Sequence, residues 1–140
     1  MARAAWLTFA AGVALAWGYA CGSSLPTPRI GQPPEATIGY VEVPYPPPAA
    51  QVEIIPPSPQ EGAVWIDGEW AWQGRRWTWE PGGWVVPPTG SYFAPWRTKR
   101  LDNGKLLFTP GTWRAANDQP LPRPPILAPA QSNFAEDGGA

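Results

Sequence analysis

The chain has 140 residues, of which 21 are proline and 15 glycine, together more than a quarter, a level that marks extended or low-complexity regions and leaves room for only a small folded part. Its formal net charge is −1, so no global field draws it to nucleic acid or to an acidic ligand. It has no histidine, which removes the commonest general base and the commonest metal ligand, and its one cysteine, Cys21, can form neither an internal disulfide nor a cysteine-rich zinc site.

Residues 1–20 begin with one positive side chain, Arg3, and continue without charge as an alanine-rich apolar run from Ala4 to Ala20. This is the layout of a secretory signal peptide. An uncleaved anchor is the alternative, because the run is just long enough to reach across a bilayer. "GYAC" followed by "GSS" resembles a bacterial lipobox, although Gly18 and Tyr19 depart from its usual pattern. Ordinary cleavage after Ala16 or Ala20 is the competing reading. A lone thiol is an oddity in an exported protein but is what N-terminal acylation requires, so Cys21 is the expected lipidation site. Gly22 after the cysteine resembles the sorting pattern for an outer-membrane lipoprotein.

Residues 21–60 form a proline-rich segment containing two β-branched pieces, "YVEV" and "QVEII". Proline fixes φ and removes a donor, so the expectation is a semi-rigid tether, with 52–55 as a possible edge strand on whatever sheet follows. Residues 116–140 lack periodicity and carry many breakers, which predicts a disordered tail. Folding is therefore expected in 61–115, which holds eight of the ten tryptophans.

Within that module an aromatic-x-x-Gly-x-Trp unit recurs as "WIDGEW" at 65–70, "WEPGGW" at 79–84 and "FTPGTW" at 108–113. A turn at Gly74-Arg75, of type II′ because glycine comes first, places residues opposite when their numbers sum to 149. Trp72 then meets Trp77 and Trp70 meets Trp79, which puts four indoles on one face. The same register sets Glu69 against Glu80, a like-charge pair relieved if both are solvated. Gly68 opposite Pro81 predicts a bend or bulge, since proline cannot donate to a ladder. Trp65 and Trp84 lie beyond it and, by parity, on the other face unless a bulge intervenes. Asn103-Gly104 is a strong type I′ signal, pairing Asp102 with Lys105, Leu101 with Leu106 and Lys99 with Phe108. The predicted fold is all-β, a small Trp-rich antiparallel sheet of two hairpins with four or five short strands.

The stretch from Val52 to Pro88, "VEIIPPSPQEGAVWIDGEWAWQGRRWTWEPGGWVVPP", resembles bacterial envelope proteins with the YXWGXW (WXXGXW) repeat, with a degenerate further copy at Phe108–Trp113. Asp67 stands where proline is frequent in that family, and Trp77 where tyrosine is common. The resemblance implies an exported protein or lipoprotein and supplies no active site.

The function expected is that of a non-enzymatic cell-envelope lipoprotein, held to the membrane through Cys21 and making structural or partner contacts through its Trp-rich module. It is expected in the outer membrane, facing the periplasm or the surface. A soluble periplasmic or secreted protein is the alternative. Trp70, Trp72, Trp77 and Trp79, or Trp65 and Trp84, are the candidate contacts for a glycan, peptidoglycan or another envelope protein, because exposed indoles beside polar groups are sugar platforms. Arg75, Arg76, Arg97, Lys99 and Arg100 form a candidate basic contact for lipid phosphate, though the seven basic residues of 61–115 face five acidic ones, and nucleic acid is not an expected partner. No catalytic residue, metal site or cofactor is expected; Glu69 with Glu80 is the only paired carboxylate that could suggest hydrolysis.

Overall fold

The computed structural model describes residues 24–132; the leader, Cys21 and the last residues of the tail lie outside this range. Among the described residues the chain is all-β apart from one 3-10 turn at Glu35–Thr37. The strands are β1 (Val41–Val43), β2 (Glu53–Ile54), β3 (Val64–Ile66), β4 (Glu69–Gln73), β5 (Arg76–Glu80), β6 (Gly83–Val85), β7 (Tyr92–Ala94), β8 (Arg97–Arg100), β9 (Leu106–Thr109), β10 (Thr112–Arg114), β11 (Ala128–Pro129) and β12 (Gln131–Ser132). They form small antiparallel sheets of two or three strands rather than one continuous sheet.

Two interrupted hairpins organise these strands. In the first, β4 pairs with β5 and β3 with β6, and every pair from Gln73–Arg76 out to Val64–Val85 sums to 149. The ladder skips Asp67-Gly68 on one arm and Pro81-Gly82 on the other, two residues each, so the register passes the gap unchanged. No net bulge is inserted. The expected opposition of Glu69 and Glu80, and of Trp65 and Trp84, is therefore realised in one register. At the tip, Gly74 and Arg75 both have positive φ, 55° and 67°. The turn is thus type I′, not type II′, since II′ needs positive φ only at its first central residue. The primed turn matches the right-handed strand twist, and Arg75 carries the cost of a left-handed conformation.

The second hairpin repeats this plan. Strand β7 pairs with β10 and β8 with β9, with opposing numbers summing to 206 from Arg100–Leu106 to Tyr92–Arg114. Its ladder also skips two residues on each arm, Pro95-Trp96 and Pro110-Gly111. The register expected from Asn103-Gly104 is off by one: Phe108 opposes Thr98, not Lys99. Only Gly104 of this turn has positive φ, and Leu101 N–H donates to the Lys105 carbonyl. The connection is a three-residue loop closed by a left-handed glycine, a common alternative to the two-residue turn. A one-residue slip exchanges faces, and here it accompanies burial of Leu106 and Phe108 beside Val43.

The described parts of the proline-rich flanks, residues 24–60 and 116–132, pack on the folded body rather than standing off it as a spacer and a disordered tail. Strand β1 adds to β9, β11 adds to β6, and β2 pairs with the tail strand β12 instead of a hairpin. Further upstream, Trp65 N–H donates to the Pro26 carbonyl at 2.8 Å, and Gly31 and Phe93 exchange backbone bonds with each other's neighbourhood. The physical reason is that proline loses its donor but keeps its carbonyl. A segment rich in free carbonyls suits a neighbour rich in indole N–H groups.

Three small cores result among the described residues. Val43, Leu106 and Phe108 pack against Trp72 and Trp77; Ala63, Trp65 and Trp84 are covered by Ala128 and Ala130 of the tail; Val85, Phe93 and Trp113 pack against Val64, Ile66 and Leu121. Aromatic pairs join the arms edge to face: Trp65–Trp84 at 5.6 Å, Trp70–Trp79 at 5.2 Å and Trp72–Trp77 at 5.1 Å between ring centroids. Such pairs contribute about 0.5–1.5 kcal/mol each beyond the area they bury. Trp77 also meets Phe108 of the second hairpin at 4.8 Å, which ties the two hairpins together.

Candidate functional site: the strapped indoles and their carboxylate pins

Neither tryptophan set is an open platform. Trp65 and Trp84 are each 3 % exposed, and Trp70, Trp72, Trp77 and Trp79 are half-buried. The indole donors are largely engaged within the chain: Trp70 with the Ala49 carbonyl at 3.0 Å, Trp77 with that of Tyr45 at 3.3 Å, Trp84 with that of Pro56 at 2.7 Å and Trp65 with Asp67 at 2.9 Å. Tyr45 also stands edge-on to Trp72, 5.7 Å away. The segment from Tyr45 to Pro56 is thus a strap over the hairpin, its carbonyls matched to the indoles. The six tryptophans expected to touch a ligand touch this strap, the tail and one another.

The gap in the first ladder is closed by Glu53. Its carboxylate accepts from Gly68 N–H at 3.2 Å, from Gly82 N–H at 3.1 and 3.2 Å, and from the Trp79 indole at 3.0 Å. Skipping two residues on each arm leaves backbone donors without strand partners, and an unmet donor is expensive. One carboxylate satisfies both arms at once. The approach explains the two repeat glycines. A Cβ on Gly82 would lie 2.5 Å from the Ile66 carbonyl oxygen, 2.7 Å from Gly68 N and 2.9 Å from Glu53 Oε2, and a Cβ on Gly68 would meet the Trp79 ring and that same oxygen. Two of the three atoms around Gly82 are backbone and cannot swing away.

The second gap uses the same device. Gly111 N–H donates to Glu69 Oε2 at 3.2 Å, so a carboxylate of the first hairpin pins the second. Glu69 is 6 % exposed, and burial raises its pKa above the ordinary carboxylate value, with Arg123 acting in the opposite direction. Arg123, from the tail, reaches Glu69 at 3.0 Å and Glu80 at 2.8 Å. The facing carboxylates are therefore relieved by a guanidinium, not by solvation as expected from sequence.

Residues 64–85 match the family model of the WXXGXW repeat, in two copies. The first hairpin is a pair of WXXGXW repeats. Each arm carries one repeat, its glycine at the gap and its outer tryptophans in cross-strand pairs. The aromatic-x-x-Gly-x-Trp unit at Phe108–Trp113, outside the matched residues, occupies the corresponding arm of the second hairpin, with Gly111 at its gap. None of the curated proteins and none of the solved structures compared with the chain matches it.

The basic residues do not gather into one patch. Lys99 pairs with Glu35 at 2.8 Å, Arg97 stands 4.0 Å from the same carboxylate, and Arg100 donates to the Gly104 carbonyl. The Lys99 hydrogen bond lowers the Glu35 pKa and Glu35 in turn raises that of Lys99. Arg75 and Arg76 are exposed at the tip of the first hairpin and form no ion pair among the described residues. Sequence reasoning missed Glu53, Arg123 and the strap carbonyls. The available signal for Glu53 was its place as the lone acid of "QVEII" ahead of a repeat whose glycines need an acceptor.

Proposed function

We propose that the chain is an exported cell-envelope lipoprotein, anchored through acylated Cys21, whose WXXGXW repeat builds a non-enzymatic contact module. The observation that carries the module reading is the engagement of the repeat indoles: Trp65, Trp70, Trp77, Trp79 and Trp84 donate to acceptors of the chain itself. The repeat is thus fold material, and contact falls to the residues around it. A hydrolytic role for Glu69 and Glu80 is disfavoured, because Arg123 holds both and Glu69 also accepts from Gly111.

The anchor reading rests on the sequence, a lone cysteine after an apolar export signal, and the fold adds a consequence to it. Among the described residues, hydrogen bonding to the body begins at Pro26, five residues after Cys21, and five extended residues reach at most about 17 Å. An acylated Cys21 would seat the module against the bilayer surface, not at the end of a long stalk. The outer membrane is the proposed location, with a soluble periplasmic form as the competing outcome. Mass spectrometry of the mature N-terminus tests this directly. A diacylglyceryl-modified Cys21 is expected; an unmodified cysteine, or a mature end elsewhere, would overturn it.

A further inference from the structure

Trp96 is where the two hairpins diverge. In the first gap Asp67-Gly68 faces Pro81-Gly82, whereas in the second Pro95-Trp96 faces Pro110-Gly111, so an indole stands in the place of Gly68. It is 44 % exposed, the one exposed indole among the described residues. Over this gap lies a pocket of about 130 Å³ whose lining includes Gln32, Trp96, Arg97, Thr109, Thr112 and Arg114.

The electrostatics of the pocket are lopsided. Arg114 is 6 % exposed, yet its guanidinium is held only by neutral oxygens: the Asp118 carbonyl at 2.7 Å, the Thr37 carbonyl at 3.1 Å and the Thr37 hydroxyl at 3.3 Å. Among the described residues no carboxylate lies within 4 Å of it, and its Nε has no acceptor. A buried cation is ordinarily paired. Arg97 has only Glu35, at 4.0 Å, and that carboxylate is already bonded to Lys99 at 2.8 Å. Two guanidiniums therefore border one pocket with no carboxylate to themselves among the described residues: Glu35 is shared with Lys99, and the carboxylate of Asp118, whose carbonyl holds Arg114, accepts from the Tyr92 hydroxyl.

We propose that this pocket binds a carboxylate-bearing sugar. One ring face stacks on Trp96, the carboxylate sits beside Arg97 in the field of Arg114, and ring hydroxyls meet Gln32, Thr109 and Thr112. The volume suits one ring and not a polymer groove. A neutral sugar leaves the two cations unanswered, and a small aliphatic anion leaves the indole bare. The proposal deepens the contact reading given above and does not involve the acyl group. An unmodified Cys21 would overturn the anchor and leave this site standing, and a failed titration would do the reverse.

The test is titration of the full chain in mild detergent, followed by calorimetry and tryptophan emission. The probes are N-acetylmuramic acid and glucuronic acid as acidic sugars, N-acetylglucosamine as a neutral ring, and lactate as a carboxylate alone. At least one acidic sugar is expected to bind about tenfold or more tighter than the neutral ring and than lactate, with affinity falling as salt rises. Trp96→Ala and Arg97→Ala are each expected to weaken that binding about tenfold, while Arg97→Ala leaves any residual affinity for the neutral ring unchanged. Arg97 is a strand residue with half-open surroundings, so its variant keeps the test valid if Trp96→Ala fails to fold. Equal binding of neutral and acidic rings, no acidic-sugar binding up to about 10 mM, or wild-type affinity in both variants would overturn the proposal.

Discussion

Replacing Glu53 by alanine removes the one acceptor shared by Gly68 N–H, Gly82 N–H and the Trp79 indole. Hydrogen bonds to a charged group contribute about 1.5–3 kcal/mol each, and a donor left unmet costs a similar amount when water is excluded. The Glu53 side chain is only part-buried, so water recovers some of the loss, and about 1 kcal/mol per donor is the appropriate figure. Three donors give about 3 kcal/mol, a large share of the 5–15 kcal/mol typical of a whole domain. With a urea dependence of about 1–1.5 kcal/mol/M for a body of this size, the unfolding midpoint should fall by roughly 2–3 M. Glu53→Gln keeps one acceptor oxygen but turns an NH₂ toward the donors, and should lose about half as much. Glu61→Ala, at an exposed acid shortly before β3, should stay within about 0.5 kcal/mol of the parent. Urea unfolding followed by tryptophan emission measures all three. A Glu53→Ala midpoint indistinguishable from that of Glu61→Ala would refute the reasoning.

Gly82→Ala drives a methyl group into two backbone atoms and should cost about 2–3 kcal/mol, whereas Gly39→Ala, which meets nothing within 4 Å, should be near neutral; paired urea curves separate them. Arg75→Gly relieves a left-handed side chain at φ 67° and should stabilise the first hairpin by about 0.5–1 kcal/mol, seen as a raised melting temperature. Burial raises the Glu69 pKa, so the folded state holds its proton more tightly than the unfolded chain. Its contribution is therefore full below the ordinary value of 4.5 and declines as pH rises from there through the raised folded value. In Glu69→Gln that component of the pH dependence of the urea midpoint should vanish. Arg123→Ala should cost about 1–2 kcal/mol at pH 7, by leaving two facing carboxylates without their bridge, and less near pH 4, where Glu69 takes up a proton.

The first hairpin was legible because its turn and its pairing are local. Whichever turn type Gly74-Arg75 adopts, Trp72 still meets Trp77, and the equal skips at 67–68 and 81–82 carry the register through to Trp65 and Trp84. The second hairpin was less so. Asn103-Gly104 serves either as a two-residue turn or as the end of a three-residue loop, and packing of Leu106 and Phe108 against Val43 favours the latter. That contact depends on β1, which lies more than sixty residues upstream in the proline-rich segment. Proline content signalled extended chain correctly and misdirected the inference about docking, since an extended chain with free carbonyls is also what a row of indole donors needs. Glu53 and Arg123 were hidden for a related reason. Each acts at residues far from it in sequence, and neither belongs to a periodic pattern.

The strapped fold is tested most directly by hydrogen exchange at the indole nitrogens, followed by assigned NMR signals of the full chain. Trp70, Trp77, Trp79 and Trp84, bonded to Ala49, Tyr45, Glu53 and Pro56, should exchange far more slowly than the exposed Trp96. Exchange of these four at the same rate as Trp96 would contradict the fold, because the proline-rich segment would then not be seated on the repeat.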